Sequence, residues 1–64
     1  MPERAMLREH FAQMRRAAEA AAGRYEHLAA SAGDPDARRQ LRRIARDESR
    51  HVELAERLLE IVSE

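Results

Sequence analysis

Apolar positions recur along this chain at alternating steps of four and three. In the first half they fall on Leu7, Phe11, Met14, Ala18, Ala21, Tyr25, Leu28 and Ala32. In the second half the same rhythm runs through Leu41, Ile44, Glu48, His51, Ala55, Leu58 and Val62, with two polar residues at its centre. Helices bring positions three and four apart onto one face, and a sustained 3-4 alternation is the seam of a helical bundle. The breakers agree with the rhythm. Residues 3–32 hold no Pro and a single Gly, Gly23; the interruption is Ser31-Ala32-Gly33-Asp34-Pro35-Asp36, and nothing breaks the chain from Pro35 to about Val62. Gly33 suits the left-handed residue that ends a helix. Asp34 suits the N-cap of the next helix, with Pro35 at its first position and Asp36 at the favourable end of the dipole. The pattern predicts helix 1 over about 3–32, a turn at 33–35 and helix 2 over about 35–62. The fold class is all-α, a single antiparallel hairpin over residues 1–64.

Helix 2 carries a second apolar row at Ala45, Val52 and Leu59, and Leu54 and Ile61 lie on its other flank. One partner helix covers only one side of so wide an arc. A second hairpin is expected to cover the other, so that a homodimer, or a multiple of dimers, forms a four-helix bundle. Composition sharpens this. Leu, Ile, Val and Phe fill only 11 of 64 positions, and there is no Cys. Domains of this size bury only about 60% of their unfolded surface and need help. Without disulfides the help is a partner subunit or a metal.

Charge narrows the function. Twelve Arg balance twelve Asp and Glu, with no Lys, for a net charge of zero. That balance argues against a nucleic-acid arm or a membrane-binding patch, so neither is expected as a partner. The densest basic run is Arg38, Arg39, Arg42, Arg43 and Arg46, which is read as solvated surface answered by Asp36, Asp47 and Glu48. No apolar run reaches the length of a membrane span, and Met1-Pro2-Glu3-Arg4 has no signal-peptide core. A cytoplasmic setting is expected. The chain is read as a whole subunit, with a fragment of a longer bundle protein ranked last.

The chemistry sits where the seam turns polar. Glu48 and His51 are i and i+3, so they lie side by side on one face. Burial there is unfavourable unless each is paired or binds a metal. Glu-x-x-His projecting into a bundle is the ligand pair of di-iron carboxylate proteins. The competing reading is a buried ion pair, tied to an Arg, that fixes register. Residue 18 should face residue 48 across the hairpin, in the small stretch Ala17, Ala18, Ala20, Ala21 and Ala22. Tyr25 reads as a core aromatic or as a neighbour of the metal site, His10 and His27 as edge and surface, and Met6 and Met14 as core filling.

Tyr25-Glu26-His27-Leu28-Ala29, Gly33-Asp34-Pro35, Ile44-Ala45-Arg46-Asp47-Glu48-Ser49-Arg50-His51 and Leu58-Leu59 together resemble the rubrerythrin and ferritin-like superfamily. In architecture they resemble its two-helix encapsulated ferritins, and the resemblance spans about residues 17–62. It implies a ferritin-like four-helix bundle with iron bound across a dimer interface, zinc or manganese being the alternatives. It also implies an iron oxidase activity tied to storage, and an encapsulating shell as a partner, so that the cytoplasmic setting extends to a protein compartment. The implied metal ligands are Glu48 and His51, joined by Glu19. The family's bridging Glu, about two turns before the Tyr, falls on Ala18 here, and Glu19 stands beside it about 100° around the helix. Two functions therefore stay open: a metal-binding ferritin-like protein, and a metal-free, non-catalytic dimerisation module that has lost the family site.

Overall fold

The computed structural model describes residues 2–64; Met1, part of the segment read for a signal-peptide core, lies outside them. Two helices, α1 over Pro2–Ser31 and α2 over Pro35–Ser63, pack against each other as a hairpin. It is a rod with extents of 50 × 13 × 11 Å.

The turn follows from local chemistry. Pro35 disfavours a helical conformation in the residue before it, and Asp34 is extended at φ −79° and ψ 124°. From there Asp34 Oδ2 accepts the Ala37 N–H at 2.8 Å, capping α2. The end of α1 closes differently from the sequence expectation. Among the described residues no glycine has a positive φ, so Gly33 is not a left-handed cap. Instead, Ala32 N–H donates to Ala29 O at 3.3 Å and Ser31 Oγ donates to His27 O at 3.1 Å. Arg38 then reaches back from α2, its Nε and Nη2 donating to Ala32 O at 3.3 and 2.9 Å. A guanidinium thus satisfies one of the carbonyls that the end of a helix leaves without an intrahelical partner. At the far end of the rod Arg4 Nη1 donates to Glu64 O at 2.6 Å.

The seam is rotated from the predicted one. On α1 it runs through Phe11, Arg15, Ala18, Ala22, Tyr25, Ala29 and Ala32; on α2 through Leu41, Ala45, Glu48, Val52, Ala55, Leu59 and Val62. Both keep the 3-4 spacing, but Arg15 and Ala29 replace Met14 and Leu28, Ala45 and Val52 replace Ile44 and His51, and Ala22 and Leu59 join Ala21 and Leu58, which stay half-buried. The fully buried residues among those described are Ala18, Ala29, Ala45 and Ala55. Small side chains let two helices approach closely, and close approach pushes bulky residues to the margin. Met6, Leu7, Met14, Leu28, Ile44, Leu54 and Ile61 accordingly stay exposed, Met6 at 70% and Leu54 at 57%. Helical geometry sets these on the same side of both helices, because each lies on the same rotational flank of its own seam. The opposite side carries Arg15, Glu19 and Glu56.

Area measures the consequence. The hairpin exposes 4854 Å², whereas a compact monomer of its mass exposes about 4,200 Å².

Two substitutions test the local account. Asp34→Ala removes the α2 cap and should lower stability by about 1 kcal/mol in urea denaturation. Gly23 lies inside α1 with a normal φ, and a Cβ there would meet nothing within 4 Å. Gly23→Ala should therefore raise stability by about 0.8–1 kcal/mol in the same assay.

Candidate metal centre

Glu48 and His51 sit near the lengthwise midpoint of α2, one turn apart. His51 Nδ1 lies 3.4 Å from Glu48 Oε1. Their exposures differ because the seam is rotated. Glu48 is tucked against α1 with a quarter of its side chain exposed, while the His51 side chain is 62% exposed. His51 therefore stands at the edge of the seam and not within it, as the sequence rhythm had it.

The two residues open onto a groove of about 620 Å³ that runs along the apolar side of the hairpin. Met14, Ala17, Ala18, Ala21 and Arg24 line it from α1, and Glu48, His51 and Leu54 from α2. The alanines are why there is a groove: four-carbon side chains at 17, 18 and 21 would fill it. Ala18 is 6% exposed and lines the same groove as Glu48. The groove's floor beside Glu48 is therefore a methyl group, with no further ligating side chain at that position.

Glu19 is directed elsewhere. Its Oε1 lies 3.9 Å from Arg15 Nε, and Arg15 Nη1 lies 3.9 Å from Glu56 Oε2 on α2. The hairpin brings Glu48 and His51 together and leaves Glu19 outside their groove. Among the described residues no group of three or more His, Cys, Asp or Glu converges on one point.

Arg24 is the groove residue that periodicity alone passed over. Its signal is present: Met14, Ala17, Ala21 and Arg24 are spaced 3-4-3, which sets them on one helix face. Tyr25, next to it, turns into the seam and is half-buried. His10 stands apart near the start of α1, beside Phe11 at a ring separation of 5.8 Å and in a shallow hollow with Glu3, Met6 and Leu7. His27 is exposed.

Chemically, one hairpin by itself falls short of a closed metal site. A carboxylate and an imidazole are two ligands, and closed tetrahedral sites take four. The donor set suits Zn, Fe or Mn and lacks the thiolates that softer ions prefer. No helix among the described residues is long and apolar enough to cross a membrane. No family model, curated protein or solved structure matches this chain.

Proposed function

We propose that this chain is a metal-binding, ferritin-like subunit whose site is completed by a second copy of itself. The observation that carries the proposal is the pairing of Glu48 with His51 in a groove whose remaining lining is apolar but for Arg24, midway along the rod. A two-fold axis across the rod's centre sets one Glu48-His51 pair against another and yields four ligands. The exposed apolar residues on the same side supply the reason to dimerise. The area in excess of a compact monomer is about 650 Å², close to the roughly 800 Å² per partner that a stable interface buries.

Iron is the first candidate metal, given the resemblance to encapsulated ferritins, with zinc and manganese next. Iron held by carboxylate and imidazole can exchange electrons with dioxygen, which is the basis of an iron oxidase role in storage. In that role Glu48 contributes negative charge, which favours the more highly charged ion, and His51 a neutral nitrogen ligand. Placement inside an encapsulating shell belongs to the same proposal.

Arg24 favours a second reading. It lines the groove with Glu48 and has no acidic partner among the described residues. Across a dimer interface it can pair with a Glu48 carboxylate, and the polar residues then fix register without metal. Ala18 in place of a family ligand points the same way.

Two experiments separate these outcomes. Analytical ultracentrifugation of the purified chain should give a dimer or a multiple of dimers, and Leu54→Glu, which sets a charge on the groove wall, should give a monomer with reduced helicity. A monomeric, fully helical wild type would defeat both readings. Metal-free protein supplied with Fe(II), Zn or Mn at about 100 times the dissociation constant should gain about 2.7 kcal/mol, a rise of roughly 10 °C in melting temperature. Metal content should approach one ion per dimer. The Glu48→Leu/His51→Leu double variant should lose that metal response; if instead the wild type never responds and the double variant simply melts higher, the register-pair reading holds.

A further inference from the structure

Of the acids that the sequence sets against the arginine run, one is engaged within it and two outside it. Asp36 pairs with Arg39, Asp47 pairs with Arg50 at 2.6 Å, and Glu48 lies against His51 in the groove. Arg38 is turned to the Ala32 carbonyl. Arg42, Arg43 and Arg46 are therefore left without an acidic partner among the described residues, all exposed. Together with Arg39 they form a diamond on the surface of α2. Residues 39 and 42 and residues 43 and 46 are three apart, and residues 39 and 43 and residues 42 and 46 are four apart. Asp36 answers the charge of Arg39, but the edges from Arg42 to Arg46 and from Arg43 to Arg46 are helix-surface neighbours of like, unanswered charge, an arrangement that destabilises a helix. A face that concentrates repulsion in a chain of zero net charge calls for a counter-charge from outside.

The shape suits one. Arg39, Gln40, Arg42, Arg43 and Arg46 surround a hollow of about 280 Å³. Guanidinium groups offer planar forks that bind phosphate oxygens in pairs, and all the basic side chains here are arginine. From residue 39 to residue 46 the helix advances only about 10 Å, which spans a diphosphate and not an extended polymer. At about 100° per residue the diamond faces away from the line Leu41, Glu48 and Ala55, outward from the rod. A second hairpin seated on the apolar groove leaves Arg39, Arg42 and Arg46 open, with Arg43 at its margin on the line of Leu54 and Ile61, so the site does not depend on the metal proposal.

We propose that the outer face of α2 around Arg39, Arg42, Arg43 and Arg46 binds a small anion bearing two or more phosphate groups. Its source is a free di- or polyphosphate, or the phosphate chain of a nucleotide.

The test uses the full chain, pyrophosphate, ATP and a 20-base-pair DNA duplex, with ionic strength held constant by NaCl. Pyrophosphate or ATP should raise the melting temperature saturably, well beyond sulfate at the same concentration, and the stronger of the two identifies the source. The Arg42→Gln/Arg43→Gln/Arg46→Gln variant should bind at least tenfold more weakly. Without ligand it should melt above the wild type, because repulsion has been removed. Should the triple variant fail to fold, Arg43→Gln alone should show the same two changes in smaller measure. A pyrophosphate or ATP response no larger than that to sulfate would overturn the proposal. So would undiminished binding by the variants, a ligand-free variant that melts lower than the wild type, or a preference for duplex DNA over both small phosphates.

Discussion

The close approach of α1 and α2 through alanine governs the whole molecule. Ala18, Ala29, Ala45 and Ala55 are the residues shut away between the helices. Each contributes little more than one methyl group, at about 0.8 kcal/mol per buried carbon, so the four together supply about 3 kcal/mol. Folded domains hold a net stability of about 5–15 kcal/mol against a far larger entropic opposition. The larger seam residues Phe11, Tyr25, Leu41, Val52, Leu59 and Val62 are only half-buried, so the seam is thin, and its thinness is also what displaces the large apolar side chains to one side. The exposed apolar face and the shortage of core are thus one fact seen from two directions.

The same constraint shapes the candidate centre. Close packing places Glu48 against α1, where its stem is covered while its carboxylate reaches the groove, and leaves His51 standing at the rim. A wider helix separation would have let His51 inward and closed the groove over it. The pair faces outward because the seam is narrow, and it stands midway along the rod. Arg24 and Ala18 in the same groove decide between metal and register, since one supplies an alternative partner for a carboxylate and the other withholds a third ligand.

Much of this was legible in the sequence, and the exceptions have physical causes. The helix limits followed from Asp34 and Pro35, whose backbone preferences act locally and do not depend on the rest of the fold. The hairpin followed from the 3-4 rhythm. The seam's rotation did not, because hydropathy ranks Leu28 above Ala29 and Ile44 above Ala45, while helix packing rewards close approach as well as apolar area. The closure of α1 was missed for a related reason: Gly33 looked sufficient, yet Arg38 could reach the carbonyl from the next helix. For Glu48 and His51 the spacing alone brought them together, and for Glu19 the 100° offset from Ala18 already placed it off the groove. What spacing could not settle was which acid each arginine would choose, because Asp36 and Asp47 each have several cations within reach.

The alanine seam also bears on how this rod responds to force and to binding. Methyl groups have no rotamers to interlock, so an alanine row resists the rolling of one helix against another far less than interdigitated leucines do. Rows of larger side chains, at Ile44 and His51 on α2 and at Met14 and Leu28 on α1, lie immediately beside the buried rows. A roll of about half the angle between successive residues would exchange one set for the other, and the 3-4 spacing would survive it. The hairpin is therefore torsionally soft about its helix axes while stiff along its length. Whatever seats itself on the apolar side sets the roll angle, and with it the depth at which His51 comes to rest.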